Sequence, residues 1–133
     1  MSAYPIFLSI VCVVRNQSSS IEQIAAEISS RVAPLVSDYE LILVDNASDD
    51  DSLIRLKCLT GANGMPNIQV YALTKEVDPD TASWAGLENA LGDFVVVIDP
   101  LLDSPQVLPT MLDYAVSGAD VVFATNEERP VQS

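Results

Sequence analysis

Four charged side chains stand at the ends of four apolar runs, where they could act on one ligand. Asp45 and Asp99 directly follow two of these runs, and Arg15 and Lys75 closely follow two others. Two cations placed in this way suit an anionic ligand held against an acidic background field. The alternative is that strands end in polar residues because loops are solvated. For the set of four, we favour a binding site.

The composition excludes several other kinds of site. The 133 residues include no His, which removes Ser-His-Asp and Cys-His catalysis and His-ligated zinc. Six basic residues stand against 19 acidic ones, and the net charge of −13 argues against nucleic acid or an anionic membrane surface as a partner. No glycine-rich phosphate loop follows the first apolar run, which weighs against dinucleotide oxidoreductases and P-loop NTPases.

Length and cysteine usage indicate one domain in a reducing compartment. A chain of 133 residues that is 49% apolar can bury its own core. Cys12 and Cys58 lie in apolar stretches without a CxxC pair, so we expect two buried free thiols. The apolar run 6–14 is too short to span a bilayer and lacks the flanks of a signal peptide. We therefore expect a cytoplasmic protein, at the inner membrane face if the chain is part of a longer protein.

Apolar runs alternate with helical periodicity along the chain and predict the elements that position the four side chains. We expect strands at residues 7–14, 39–45, 68–73, 94–99 and 120–124. This alternation is typical of an α/β fold, a Rossmann-like three-layer sandwich with a mainly parallel sheet and right-handed crossovers. Ligands bind beyond the carboxyl ends of such strands, which is where the four charged residues and residues 125–126 are expected.

The helix ends carry their own signals. Ser20 and Gln23 have the spacing of a capping box at the start of the first helix, which ends near Pro34. Gly61 is expected to end the second helix in a left-handed conformation. The third helix is expected at residues 81–91, and Ser104 with Pro105 suits the start of the fourth.

Three motifs occur in an order that is specific to one family. Residues 11–16 read VCVVRN, residues 39–50 read YELILVDNASDD, and residues 82–93 read ASWAGLENALGD before the strand FVVVID. Over residues 6–126 this order and spacing resembles the family-2 glycosyltransferases, which have the GT-A fold.

The resemblance implies roles for the same sheet edge. In the family, the loop after the first strand and the Asp after the second hold the base and ribose of a nucleotide, which corresponds to Val14, Arg15 and Asp45. A basic residue after the third strand approaches the nucleotide and corresponds to Lys75. The first carboxylate of the family's Asp-x-Asp motif corresponds to Asp99, and this motif holds a divalent cation (Mg²⁺ or Mn²⁺) on the diphosphate.

The implied activity is inverting transfer of a sugar from a nucleotide-diphosphate sugar, such as a UDP-sugar. A cation on the leaving diphosphate makes physical sense, because negative charge develops there as the glycosidic bond breaks. The acceptor is a saccharide, a lipid or a protein, and the sequence does not specify which.

The chain departs from the family's pattern around the expected diphosphate. Leu101 stands where the second Asp of the metal motif would be, and Asp103 is the nearest substitute. Glu76 and Asp78 replace an Asn and a Gly, and they add negative charge. Alternatively, residues 78–80 turn the chain and cap the third helix near its positive end.

The family supplies its catalytic base from a later segment. We therefore expect the base beyond Ser133. Residues 1–133 would form one nucleotide-sugar-binding domain, an incomplete transferase domain with a polar tail at 125–133. We expect this part to turn over no donor by itself. An incomplete domain is compatible with a homodimer, although no residue argues for one.

There are two rival interpretations, and the residues argue against the second. The altered metal motif and the acidic third loop would also suit a GT-A-like binding or interaction module without catalytic activity. A receiver-like phosphorylation domain would need an acidic pair after the first strand and a Lys after the fifth, and residues 15–16 and 125–126 supply neither.

Overall fold

Strands and helices alternate along the part of the chain that the structure describes. The computed structural model describes residues 4–61, 64–99, 108–118 and 121–123. The strands are β1 (Tyr4–Val14), β2 (Val36–Asn46), β3 (Ile68–Leu73), β4 (Phe94–Ile98) and β5 (Val121–Phe123). The helices are α1 (Ile21–Val32), α2 (Ser52–Leu59), α3 (Pro79–Asn89) and α4 (Leu108–Val116). Among these helices, none is both long and apolar enough to cross a bilayer.

The five strands form one parallel sheet in the order β3-β2-β1-β4-β5. Val14 lies opposite Asp45 in the β1–β2 pair, and Cys12 lies opposite Ile98 in the β1–β4 pair. The carboxyl ends of β1, β2 and β4 therefore meet at one edge. The predicted Rossmann-like α/β fold is confirmed.

Helices cover both faces of the sheet, and each face has its own core. On one face, buried residues of α1, α2 and α4 pack with Ile10, Leu41 and Val96. On the other face, α3 packs through Ala82 against Val11 and Val44. Because the central strands are covered on both faces, they are continuously apolar rather than alternating.

One crossover differs from the expected handedness. The helices α1 and α4 lie on the same face, yet β2 and β5 lie on opposite sides of the β1–β4 pair. The β4–α4–β5 connection therefore has the opposite hand to the other three. The expectation of right-handed crossovers throughout was wrong, because the face on which α4 packs is decided by tertiary contacts rather than by its own apolar pattern.

The motif at residues 82–93 builds the junction between α3 and the sheet. A Cβ on Gly86 would lie 2.6 Å from Val11 Cγ1, so this glycine lets the helix approach the sheet closely. A Cβ on Gly92 would lie 2.7 Å from the backbone nitrogen of Ser9. The Asp93 carboxylate accepts a hydrogen bond from the Phe7 amide at 2.9 Å. Gly92 and Asp93 shape the end of the sheet opposite the strands' carboxyl termini, whereas Gly86 packs further along β1 and β2.

Glu40 forms a buried polar junction at that same end. It is 5% exposed and accepts hydrogen bonds from the Ser9 hydroxyl (2.6 Å), the Gln69 amide (2.6 Å) and the Leu91 backbone (2.7 Å). One carboxylate thus joins three strands to the segment that follows α3. The Glu in the motif at residues 39–50 therefore has a structural role, which is to join the strands.

Three local expectations are corrected. Ser20 is the N-cap of α1 but makes no side-chain cap, and its hydroxyl donates to the Gln17 side chain. Gly61 lacks a positive φ, since α2 ends through Thr60 in a right-handed conformation. Cys12 is buried as expected, whereas Cys58 is exposed because it lies on the outer side of α2. The expected signals at Ser104 and Pro105 and the polar tail at 125–133 lie outside the described residues.

Candidate functional site

A cavity of about 400 Å³ opens at the carboxyl ends of β1, β2 and β4. Its apolar wall comes from the ends of β1 and β4 and from the loop before α3, through Val13, Val14, Val77, Val97 and Ile98. Its polar wall comes from Arg15, Asn46, Glu76, Asp78, Asp80, Ser83 and Asp99. The fold thus places a mixed apolar and charged cavity where open α/β sheets bind ligands.

Arg15 is the only basic residue among the described residues of this cavity wall. Its guanidinium contacts the Asp49 carboxylate at 2.9 Å and the Glu76 carboxylate at 3.4 Å. Its Nε is buried and has no hydrogen-bond partner among the described residues. The guanidinium is therefore held by carboxylates from two loops, and its Nε–H donor is available to a ligand.

Asp45 is buried and serves the loop that follows β2. It is 1% exposed, and its carboxylate accepts from the Ser48 hydroxyl at 2.5 Å and from the Ser48 amide at 3.2 Å. The Ser48 hydroxyl in turn accepts from the Asn16 amide at 2.9 Å. Asn16 and Ala47 both have φ of 53°, so this arrangement holds two side-chain-bearing residues in a left-handed conformation. Asp45 thereby positions the loop beside Arg15.

Asn46 joins the end of β2 to the loop before α3. Its side-chain amide donates to the Val77 carbonyl at 2.7 Å, and its side-chain oxygen accepts from the Val77 amide at 3.0 Å. Asn46 is 3% exposed and also lines the cavity. One side chain therefore sets the position of a whole cavity wall.

Asp78 caps α3, which confirms the capping alternative for this residue. Its carboxylate accepts from the Thr81 amide at 2.9 Å and the Thr81 hydroxyl at 2.7 Å. These two hydrogen bonds hold the pKa of Asp78 below its usual value, and the bond from the Thr81 hydroxyl has the larger effect. Asp80 lies in the first turn of the same helix, near its positive end. The amino terminus of α3, beside the cavity, is thus already capped by Asp78 and has the Asp80 carboxylate in its first turn.

Asp99 is half-buried and lines the cavity just after β4. Carboxylate oxygens are suitable ligands for Mg²⁺ or Mn²⁺, and Mg²⁺ commonly takes one or two carboxylates together with substrate phosphates and water. Among the described residues, no three acidic, His or Cys side chains form a group that could hold a metal ion. Leu101 and the substitute ligand Asp103 lie outside the described residues. Asp99 therefore offers one carboxylate of the type that binds Mg²⁺ or Mn²⁺ on the wall of the cavity.

The structure brings together some of the expected site residues and separates others. Val14, Arg15 and Asp99 share the cavity wall. Asp45 is adjacent but buried, and Lys75 is exposed outside the described wall. The sequence places Asn46 at the ligand-binding edge of the sheet, but sequence reasoning assigned it no role in the site. The edge residues at 125–126 lie outside the described residues.

Comparison with known proteins identifies the family. Residues 9–132 match the family model described as glycosyl transferase family 2. The chain belongs to this family. The resemblance found from the three motifs is thus confirmed, and family-2 membership places glycosyl transfer among the functions to consider first.

Two curated relatives support the family-2 assignment. The chain is 31% identical over 131 residues to an undecaprenyl-phosphate 4-deoxy-4-formamido-L-arabinose transferase of Pseudomonas fluorescens, covering 97% of this chain and 38% of the relative. It is 31% identical over 123 residues to an uncharacterised glycosyltransferase of Synechocystis, covering 92% of this chain and 38% of the relative. The chain therefore spans well under half the length of these relatives.

A solved structure supports the fold. A mannosyltransferase from Pyrobaculum calidifontis, solved with GDP-Man and Mn²⁺, superposes with a TM-score of 0.68 at 18% identity. The match covers 84% of this chain and 32% of the mannosyltransferase. The predicted GT-A-type fold is confirmed by this likeness.

Proposed function

We propose that this family-2 chain binds the nucleotide-diphosphate sugar of a glycosyl transfer reaction in the cavity at the carboxyl ends of β1, β2 and β4. The observation that carries the proposal is that Arg15 and Asp99, which follow different strands, line one cavity of about 400 Å³. A guanidinium and a carboxylate on one wall suit a ligand that combines negative phosphates with a divalent cation. The structurally similar mannosyltransferase was solved with this combination of ligands, GDP-Man and Mn²⁺.

The residues take distinct roles in this proposal. The end of β1 at Val13 and Val14 lies beside the base, and Arg15 donates to the nucleotide through its guanidinium. Asp45 holds the surrounding loop through Ser48, while Lys75 adds positive charge near the rim.

Asp99 would supply one ligand to Mg²⁺ or Mn²⁺. When bound, this cation would offset the charge that develops on the leaving diphosphate. The general base for inverting transfer would come from outside residues 1–133, so we expect no turnover by this part alone.

The acceptor is proposed from the relatives alone. The Pseudomonas relative is named for transfer to undecaprenyl-phosphate. We therefore favour a lipid phosphate over a saccharide or a protein. A cytoplasmic location stays a prediction, with the inner membrane face expected if the chain is part of a longer protein. The homodimer also stays a prediction.

Calorimetric titration tests donor binding. UDP-sugars and GDP-mannose are titrated with and without Mn²⁺ into the wild-type chain, Asp99→Asn and Arg15→Gln. We expect metal-dependent binding that Asp99→Asn makes independent of metal and that Arg15→Gln weakens about tenfold. The control is Asp38→Asn, which removes an exposed carboxylate at the far end of β2. Equal loss in the control and in the site variants would contradict the proposal.

A second candidate function is a binding or interaction module without catalytic activity. It is favoured by the four carboxylates in the described cavity wall, at Glu76, Asp78, Asp80 and Asp99, which oppose an anionic ligand. The same titrations distinguish the two functions. No binding of any nucleotide sugar at millimolar concentration, with or without Mn²⁺, would favour the module.

A further inference from the structure

Arg15 is held between two carboxylates that come from different loops. Asp49 belongs to the loop after β2 and contacts the guanidinium at 2.9 Å, while Glu76 belongs to the loop after β3 and contacts it at 3.4 Å. The Arg15 side chain is 29% exposed, whereas the Asp49 and Glu76 side chains are 80% and 60% exposed. The guanidinium is therefore the most sheltered of the three charges.

The two carboxylates differ in their relation to the cavity. Glu76 lines it together with Arg15, whereas Asp49 is absent from the described wall and contacts Arg15 from outside it. An anion that entered the cavity toward Arg15 would meet the charge of Glu76 on the same wall. Asp49 contacts the same guanidinium nitrogen, Nη2, at the shorter distance.

The position of Glu76 is fixed by the backbone beside it. Val77 is held in both directions by the buried Asn46 side chain, so the loop that carries Glu76 is anchored to the end of β2. The ion pair between Glu76 and Arg15 is therefore a feature of an anchored loop.

We propose that Glu76 is a specificity-determining residue that restrains Arg15 and sets the preference of the cavity for the nucleoside over the phosphates of its ligand. This inference rests on the proposed function, because it concerns the same cavity. A free phosphate near Arg15 must either displace the Glu76 carboxylate or lie beside its negative charge. The nucleoside carries no charge and does neither. The phosphates therefore add little to the affinity of the ligand unless a cation accompanies them.

Affinities measured without metal test the proposal. UDP and uridine, with GDP and guanosine in parallel, are titrated in EDTA at low ionic strength, where exposed charges are least screened. In the wild-type chain we expect each diphosphate to bind no more than threefold more tightly than its nucleoside. Glu76→Gln should tighten the diphosphates at least fivefold and change the nucleosides less than twofold. The matched control is Glu27→Gln, which removes the same charge from the exposed side of α1.

A double-mutant cycle tests whether Glu76 acts through Arg15. In an Arg15→Gln background, the gain from Glu76→Gln should fall below twofold. A gain of the same size in both backgrounds would show general repulsion and overturn the proposal. An equal gain for Glu27→Gln, or equal gains for nucleosides and diphosphates, would overturn it as well.

The outcomes separate this inference from the proposed function. If the ligands bind and Glu76→Gln changes nothing, the role of Glu76 is wrong and donor binding stands. If neither nucleosides nor diphosphates bind any variant, and Mn²⁺ does not restore binding, the proposed function fails and the role of Glu76 fails with it.

Discussion

Asn46 and Val77 hold each other through two hydrogen bonds that run in opposite directions. The Asn46 amide group donates to the Val77 carbonyl at 2.7 Å, and the Val77 amide donates to the Asn46 side-chain oxygen at 3.0 Å. This pair connects the last residue of β2 to the loop before α3, and both residues line the cavity. The shape of the candidate site therefore depends on one buried side chain.

Asn46→Asp should loosen this wall of the cavity. A carboxylate still accepts from the Val77 amide but cannot donate to the Val77 carbonyl, so we expect a loss of about 1–3 kcal/mol in the free energy of unfolding. Urea unfolding measures the loss, and hydrogen exchange at the Val77 amide locates it. Asn89→Asp is the control, since Asn89 is an exposed amide that donates to one carbonyl. An equal loss in the control would contradict the anchoring role.

Gly86→Ala tests the close approach of α3 to the sheet. The added Cβ would lie 2.6 Å from Val11 Cγ1 and 3.3 Å from Val44 Cγ2. Overpacking should outweigh the gain in helix propensity, leaving a net destabilisation of about 1–2 kcal/mol in urea unfolding. Gly61→Ala is the control, because among the described residues its Cβ would meet only the Cys58 carbonyl oxygen, at an ordinary 3.4 Å. An unchanged midpoint for Gly86→Ala would show that the contact relaxes freely.

Glu40→Gln tests the buried junction that joins three strands. The carboxylate accepts three hydrogen bonds, and an amide would turn a donor group toward one of these donors. We expect a loss of about 2–3 kcal/mol in the free energy of unfolding. The exposed Glu27→Gln should change it by less than about 0.5 kcal/mol. If both variants unfold at the same midpoint, the junction contributes no specific stability.

Asp50 should make stability depend on pH in the acid range. Hydrogen bonds from Ser52 and from the Ser18 amide lower its pKa from 3.8 to about 2. A carboxyl group whose pKa is lower in the folded state stabilises the fold above its unfolded value, and this contribution is lost as pH falls from 3.8 toward 2. Unfolding of the wild-type chain and Asp50→Asn, compared from pH 5 to pH 2, should therefore converge at the acid end. Parallel curves would contradict the assignment.

Much of the fold follows from local pattern. Continuous apolar runs predicted the central strands because both faces of the sheet are covered, and β3 agrees with its predicted bounds of 68–73. The strand order brought Arg15 and Asp99 to one edge, as parallel topology requires. Membership of family 2 was also readable, since three motifs occur in a fixed order.

The rest depends on contacts that no local pattern encodes. Asp45 was expected to follow its strand like Asp99, but it lies inside β2, and its carboxylate accepts hydrogen bonds from Ser48 rather than lining the cavity. Cys58 lies in an apolar stretch, yet the face that α2 turns to the core leaves it exposed. The hand of the last crossover was likewise decided by which face α4 covers.

The central claim is that one cavity at the carboxyl ends of β1, β2 and β4 binds the nucleotide sugar. Its most direct test is a titration of the ¹⁵N-labelled chain with GDP-mannose or a UDP-sugar in the presence of Mg²⁺, followed by backbone amide NMR. We expect the largest shifts at Arg15, Asn46, Val77, Ser83 and Asp99. Shifts concentrated on the outer surfaces of α1 and α4, or no shifts at millimolar ligand, would contradict the account.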